Sequence, residues 1–226
     1  MKFSLSMLAL GAVANAHYTI PRISTGGSAG GSDWQYIRTT ANFQSNAPVE
    51  NLSSDQMTCY ERNPGTAAPG TLDVTAGSPV TFGINPNLYH PGPVNVYMAK
   101  APSTAASFNG KGNVWFKIFE DKPTTTASSI EWPNYNKASQ TVTIPRCIAN
   151  GEYLIRFEQI GLHSAGAPQL YISCAQVRVS GGSGGASPNL LSFPGSYSMS
   201  DPGLSANIWW PIPTNYKAPG GNPLTC

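Results

Sequence analysis

The residue best placed to do chemistry in this chain is His17, because of what precedes it. Small residues at the first and third positions of Ala14-Asn15-Ala16 match a signal-peptidase site, and Lys2 with the apolar run 5–13 supplies the short basic and apolar regions of an export signal. Residues 1–16 are therefore predicted to be a signal peptide. Cleavage would make His17 the first residue, whose free α-amine and imidazole Nδ1 can chelate one metal ion together.

A second histidine suits the same ion. His90 follows a predicted strand and stands in Tyr89-His90-Pro91-Gly92-Pro93, where the prolines and glycine predict a tight turn that holds the imidazole rigidly. One amine and two imidazoles form a nitrogen-rich planar set that suits Cu(II), which also heads the Irving–Williams series. Zinc would prefer a fourth protein ligand in a tetrahedral arrangement. The alternative is that His90 is an ordinary histidine in a surface loop.

Three further residues could serve this site. In the predicted strand Gln169-Leu170-Tyr171, side chains alternate, so Gln169 and Tyr171 share one face and Leu170 faces the other way. The Tyr171 hydroxyl could take a weak axial position on copper, and Gln169 could bond a copper-bound oxygen. His163 lies in the short loop just before this strand and could donate a proton or a hydrogen bond to activated oxygen. Ordinary solvent exposure is the alternative for all three.

The composition indicates an exported protein. Charged residues make up 11% of the chain, while Gly and Pro number 23 and 20. Near-neutral charge gives no support for binding to nucleic acid or to an anionic membrane. The apolar run at the start is too short to span a bilayer, and no later run approaches about 20 residues. We therefore expect a secreted, extracellular and monomeric protein.

Short β-type runs separated by Gly and Pro predict an all-β sandwich with long loops. The predicted strands are 18–20, 71–74, 80–83, 94–98, 115–120, 140–144, 153–159 and 170–179. The stretch 181–185 (GGSGG) is typical of a flexible linker. A small cellulose-binding module after it would need its own disulfides, and only Cys226 lies beyond it.

Residues 17–226 are therefore predicted to be a single catalytic domain with no separate carbohydrate-binding module. The residues after 185 should form an extended segment packed on the sandwich. Its predicted apolar anchors are Leu190, Leu191, Phe193, Ile208, Trp209 and Trp210.

Four cysteines in an exported chain predict two disulfides, and the spacing alone leaves three pairings open. The cysteines are Cys59, Cys147, Cys174 and Cys226. Asn51-Leu52-Ser53 is an N-glycosylation sequon, which predicts an exposed loop with Asn51 as the candidate acceptor.

Several stretches, taken in order, resemble one family over essentially the whole mature chain. They are 17–19 (HYT), 113–121 (NVWFKIFED), 151–156 (GEYLIR), 162–165 (LHSA), 169–176 (QLYISCAQ), 193–197 (FPGSY) and 201–203 (DPG). The sequence is similar to fungal lytic polysaccharide monooxygenases of auxiliary activity family nine, formerly glycoside hydrolase family 61.

The resemblance implies an immunoglobulin-like or fibronectin-like sandwich that carries copper on a flat face. His17 and His90 would be the copper ligands of a "histidine brace", Tyr171 the axial ligand, and His163 and Gln169 the pair that steers oxygen. It also implies bridges Cys59–Cys174 and Cys147–Cys226. Tyr216 matches a tyrosine that stacks on glucan in relatives, and Tyr36 is predicted as a second sugar platform.

The implied function is copper-dependent oxidation of β-1,4-glucan in crystalline cellulose, using an external electron donor and O2 or H2O2. That donor would be a small-molecule reductant or a secreted electron-transfer protein. The segment 83–89 (GINPNLY) lacks the insertion that C4-oxidising members often carry before His90, so C1 oxidation is expected. The alternatives are a non-catalytic copper-binding or carbohydrate-binding sandwich and a structural immunoglobulin-like domain. Xyloglucan, xylan and glucomannan remain open as substrates.

Overall fold

The computed structural model describes residues 17–226, so the predicted signal peptide, residues 1–16, lies outside the described residues. The described range contains ten strands and two one-turn helices. They are β1 (Thr19–Thr25), α1 (Gln56–Cys59), β2 (Leu72–Thr75), β3 (Pro79–Asn85), β4 (Val94–Lys100), β5 (Trp115–Glu120), β6 (Thr124–Thr125), β7 (Ile130–Glu131), β8 (Ser139–Thr143), β9 (Gly151–Gly161), β10 (Gln169–Ser180) and α2 (Pro202–Ser205).

The strands form a sandwich of two sheets. The larger sheet has the order β2-β10-β9-β4-β5, and only the β2–β10 pair in it is parallel. The smaller sheet has the order β1-β3-β8, and β6 and β7 form a separate hairpin. This architecture confirms the predicted all-β sandwich, and each of the eight predicted strands overlaps an observed one. The hairpin and the helices were not predicted because they are too short to show a period.

Both faces of the larger sheet are buried. One face packs against the smaller sheet, and its side chains include Tyr171 and Phe157. The opposite face, which includes Cys174 and Leu154, lies beneath the loops and the C-terminal segment. Alternation along β10 therefore directs Tyr171 into the space between the sheets and Cys174 to the other side.

The loop-covered face contains a buried ion pair. Arg156 and Glu158 are both inaccessible, and Arg156 Nη2 lies 2.7 Å from Glu158 Oε2. Arg156 also donates to the Met57 and Thr58 carbonyls, while the Tyr197 hydroxyl donates to Glu158. A buried charge is stable only when it is paired and hydrogen-bonded, so this pair fixes α1 and the C-terminal segment on the sheet.

Hydrogen bonds attach the glycine-rich stretch 181–185 to the sandwich. Gly182 N–H donates to Asn150 Oδ1 at 2.8 Å, and Gly184 N–H donates to the Ile148 carbonyl at 3.2 Å. A Cβ on Gly182 would lie 2.1 Å from the Ile148 carbonyl oxygen, so a larger residue could not pack here. The glycines provide a close approach of two backbones rather than a flexible linker.

The C-terminal segment follows the sandwich only partly as predicted. Phe193 and Ile208 are buried, and Leu191 pairs with Trp115 at the edge of the larger sheet. Three of the predicted anchors are exposed to solvent instead. They are Leu190, Trp209 and Trp210, with 44%, 59% and 76% of their surface accessible.

Two disulfides close the fold. They join Cys59 to Cys174 and Cys147 to Cys226, the pairing that the family resemblance implies. Asn51 is exposed and its Oδ1 accepts from Ser53 N–H at 2.9 Å, so the sequon stands in an Asx turn; its glycosylation stays a prediction. Across residues 17–226, every helix is too short to cross a membrane.

Candidate metal centre

Three of the residues predicted from sequence meet at one end of the sandwich. The ring centroids of His17 and His90 are 5.8 Å apart, with their planes at 78°. The ring of Tyr171 lies 6.3 Å from that of His17 and 5.6 Å from that of His90. The three rings thus form a triangle with nearly equal sides, and two imidazoles and one phenol border a common space.

His17 is held by the residue that follows it. Tyr18 is fully buried, and its ring stacks on Tyr171 with a centroid distance of 4.0 Å. The Tyr18 hydroxyl donates to the side-chain oxygen of Gln159 in β9. Tyr18 is thus held by both Tyr171 and Gln159. Because His17 is bonded directly to Tyr18, this limits where the backbone of His17 can lie.

His90 is held by the turn after it. Residues 91–93 lie against the end of β9, where the amides of Ile160 and Leu162 donate to the carbonyls at the two ends of the turn, at 3.0 and 2.8 Å. Gly92 has φ 144°, and a Cβ there would lie 1.8 Å from the Ile160 carbonyl oxygen. Only glycine allows this approach, which was predicted as a tight turn.

A buried carboxyl group closes the same turn from the other side. Asp121 Oδ1 accepts from Val94 N–H at 2.7 Å. Asn134 Nδ2 donates both to Asp121 Oδ2 and to the Gly92 carbonyl. Burial raises the pKa of Asp121 to about 6, although its hydrogen bonds act in the opposite direction.

His163 lies directly on His90. Their rings are stacked, with centroids 3.9 Å apart and planes at 17°. This contact follows from the pairing of turn 91–93 with the end of β9, since His163 comes two residues after that strand. The indole Nε1–H of Trp209 donates to the His163 carbonyl at 2.9 Å, which fixes the loop from outside.

Tyr171 and Gln169 lie on the same face of β10, as predicted. The Tyr171 hydroxyl donates to Gln169 Oε1 at 3.0 Å. Burial is the main cause that raises the pKa of Tyr171, and the negative charge of Glu50 adds to it. The phenol therefore stays protonated and offers a neutral oxygen near the two histidines.

His90 and His163 are neutral at neutral pH. Burial, and then the proximity of His163 and His17, lowers the pKa of His90 to about 4. Burial and His17 also lower the pKa of His163. A neutral imidazole has a free lone pair, which is the form that binds a metal ion.

The donor set fits a copper ion. His90 Nε2 and His163 Nδ1 are both buried and have no hydrogen-bond partner, so two ring nitrogens in this space are unsatisfied. Within the described range, no three His, Cys, Asp or Glu side chains form a metal cluster. A metal held here by His17 and His90 would need further ligands, and the α-amine of a cleaved His17 and the Tyr171 oxygen could supply them.

Comparison with known proteins identifies the family. Residues 17–216 match the model of Auxiliary Activity family 9 (formerly GH61). The chain belongs to this family. AA9 family lytic polysaccharide monooxygenase A of Thermothielavioides terrestris is 50% identical over 234 residues, which cover 100% of both chains. Enzyme H of Malbranchea cinnamomea is 50% identical over 96% of each chain.

A solved structure agrees with these relatives. The crystal structure of a cellulose-active polysaccharide monooxygenase from M. thermophila superposes with a TM-score of 0.75 at 28% identity, covering 92% of this chain and 99% of that one. Membership of AA9 supports a copper enzyme that cleaves polysaccharides oxidatively.

Tyr36, one of the two predicted sugar platforms, lies away from the histidines, and its role in sugar binding stays a prediction. Its carbonyl accepts from Gln176 N–H, five residues along β10 from Tyr171. At 3.3–3.4 Å per residue this places it about 17 Å away. Its ring packs on Gly70 instead of facing the histidines. The sequence placed Tyr36 in the correct loop but could not show which part of β10 that loop contacts.

Tyr216, the other predicted platform, is held by two contacts, and its stacking on glucan stays a prediction. Its ring meets Trp132 edge-on at 5.0 Å, and its hydroxyl donates to the Gly203 carbonyl at 2.9 Å. It is half-buried and lines a hollow of about 720 Å³ together with Asp121. Trp209, which was predicted to pack inside, is the exposed aromatic ring that touches the loop of His163.

Sequence reasoning missed the residues that support the ligands. Gln159 is fully buried and donates to the His90 carbonyl at 3.0 Å while it accepts from Tyr18. Gln159 shares a face of β9 with Tyr153, Ile155 and Phe157, and a glutamine on this apolar face is the one signal that pointed to it, because a buried amide must find partners.

The buried carboxyl group behind the His90 turn predicts a pH effect on stability. The folded state raises the pKa of Asp121 from 3.8 to about 6, so folded protein binds this proton more tightly than unfolded protein. Stability from this group is full below about pH 4 and is lost as the pH rises through 6, by up to about 3 kcal/mol.

We therefore expect Asp121→Asn to abolish this loss of stability with rising pH. Urea denaturation at pH 4, 5, 6 and 7 should show the free energy of unfolding of the wild type falling relative to the variant as pH rises. Comparing the two proteins cancels the contributions of His90 and His163, which titrate in both. A constant difference across this range would contradict the raised pKa.

Proposed function

We propose that this protein is a secreted monooxygenase that uses one copper ion to cleave β-1,4-glucan chains of cellulose by oxidation at C1. The observation that carries the proposal is the meeting of His17, His90 and Tyr171 around an unsatisfied, buried His90 Nε2. Membership of AA9 supports the oxidative chemistry, and the cellulose-active relative from M. thermophila supports the substrate.

Copper would be held by the α-amine and Nδ1 of His17, by Nε2 of His90, and weakly by the Tyr171 oxygen. Bound copper would supply one-electron chemistry and activate O2 or H2O2 after a reductant has delivered an electron. The protein contributes a neutral imidazole at His90, a protonated phenol at Tyr171, and a turn that keeps His90 in place. Gln159 links the side chain of Tyr18, next to His17, to the backbone carbonyl of His90.

Two side chains beside the ligands are placed to handle the oxygen co-substrate. His163 stacks on His90 and has an unpartnered Nδ1, and Gln169 bonds the Tyr171 hydroxyl. We assign them hydrogen bonding to the co-substrate oxygen and, for His163, delivery of a proton. Neither is needed to hold the metal.

The reaction balances with either co-substrate. Oxygen, two electrons and two protons, or one molecule of H2O2, convert a C1–H bond into C1–OH and release water. The hydroxylated C1 then expels the neighbouring O4, which breaks the chain and leaves a lactone that hydrates to an aldonic acid. We assign C1 because the segment before His90 is short: β3 ends at Asn85, only four residues separate it from His90, and C4-oxidising members of the family often carry an insertion there.

Trp209 and Trp210 are proposed to orient the glucan chain. Their accessible fractions, 59% and 76%, are the highest among the large apolar side chains of the described range. A flat exposed ring stacks on the C–H face of a pyranose at low entropic cost. The hydrogen bond from Trp209 to the His163 carbonyl places this platform next to the site.

The products test the proposed function. Copper-loaded protein incubated with cellulose, ascorbate and H2O2 should release oligosaccharides that mass spectrometry identifies as aldonic acids. Metal-free protein and copper alone are the controls. Products dominated by 4-keto sugars would refute the assignment of C1, and unoxidised oligosaccharides alone would refute oxidative cleavage.

Adsorption tests the platform. We expect Trp209→Ala to weaken binding to cellulose about fivefold, since one stacked ring is worth roughly 1 kcal/mol beyond burial. Trp209→Phe keeps a ring but loses the Nε1–H bond, so it should retain most of the adsorption. Leu190→Ala, at an exposed apolar position on the edge of the larger sheet, is the control. Equal isotherms for wild type and Trp209→Ala would remove Trp209 from the substrate face.

A further inference from the structure

An exposed carboxylate borders the metal centre. Gln169 Nε2 donates to Glu50 Oε1 at 3.3 Å, on the side of the amide that Tyr171 does not use. Glu50 is solvent-exposed, whereas Tyr171 is fully buried. The three side chains form one hydrogen-bonded row that runs from the interior to the surface.

The backbone fixes Glu50 in this place. The residue before it, Val49, is buried and exchanges both of its backbone hydrogen bonds with Leu170, at 2.8 and 2.9 Å. The edge of β10 is open for this pairing because β2 pairs only with residues 177–180. Glu50 therefore stands beside Gln169 independently of the side-chain hydrogen bond.

The carboxylate of Glu50 determines which groups donate and which accept along this row. A tyrosine hydroxyl both donates and accepts, so Tyr171 alone does not decide which end of the Gln169 amide faces it. A carboxylate only accepts, so the Nε2 end must face Glu50. The Oε1 end then faces Tyr171, and the Tyr171 proton must point toward Gln169. The remaining lone pairs on the Tyr171 oxygen are left for other partners.

We propose that Glu50 is a positioning residue that sets the orientation of the Gln169 amide and, through it, the direction of the Tyr171 O–H bond. The inference rests on the proposed function in one respect, since the orientation matters for turnover only if Tyr171 and Gln169 serve a copper site.

Metal-free protein tests the contact itself. The side-chain amide signal of Gln169 in a ¹⁵N-labelled protein can be assigned by its loss in Gln169→Ala. We expect Glu50→Ala to shift this signal and to speed exchange of its protons with water. Glu50→Gln keeps an acceptor and should produce a smaller shift. Glu131→Ala, an exposed glutamate in β7, is the matched control and should leave the signal in place. An unmoved signal in Glu50→Ala would overturn the proposal.

Copper-loaded protein tests the consequence through a double-mutant cycle. Glu50→Ala should lower peroxide-driven turnover about fivefold, the fold-change expected for one partly exposed hydrogen bond, with an unchanged copper dissociation constant. It should also alter the Cu(II) electron paramagnetic resonance spectrum. In the Gln169→Ala background, Glu50→Ala should change neither turnover nor spectrum further.

The outcomes separate the two hypotheses. A second, independent loss of turnover in the double variant would show that Glu50 acts through substrate or surface charge, which would overturn its positioning role. Absence of copper-dependent oxidation by the wild type would overturn the proposed function instead. The amide signal of the metal-free protein would then still decide whether Glu50 orients Gln169.

Discussion

The metal centre depends on the hydrogen bonds made by the side-chain amide of Gln159. This amide lies in the middle of the molecule, where an unpaired amide would cost about 1–3 kcal/mol, so each of its hydrogen bonds constrains a neighbour. One end accepts from Tyr18, which fixes the segment of His17, and the other donates to the carbonyl of His90. Two segments more than seventy residues apart in sequence are thereby held by one side chain.

The metal centre contains a buried nitrogen atom that lacks a hydrogen-bond partner. Buried His90 Nε2 has no partner, and burial keeps the imidazole neutral. A buried polar atom without a hydrogen bond destabilises the fold, and a metal ion that binds it removes that penalty. Copper binding and folding stability should therefore be coupled in this protein. The turn closed by Gly92, Asp121 and Asn134 prevents the His90 loop from relaxing to find another partner.

The sequence predicts more of the ligands than of their supports. Short β-type runs between Gly and Pro located the eight main strands, and alternation put Gln169 and Tyr171 on one face of β10, because both patterns are local. The sequence did not predict the roles of Gln159, Glu50 and Trp209, because these roles depend on contacts across more than forty residues of sequence. The same limit explains the error at Trp209, an apolar residue that faces solvent instead of packing inside. It also explains why the sequence could not show that Tyr36 pairs five residues along β10 from Tyr171.

The most direct test of the account is whether copper needs the free amine of His17. Copper that binds only folded protein should stabilise it by about 4 kcal/mol at a thousandfold excess over its dissociation constant, or about 8–16 °C in melting temperature. We predict such a shift, reversible by a chelator, for protein that begins at His17. One extra residue before His17 converts the amine to an amide, and the shift should largely vanish. Equal shifts in both forms would contradict the account, since His17 would then be an ordinary first residue.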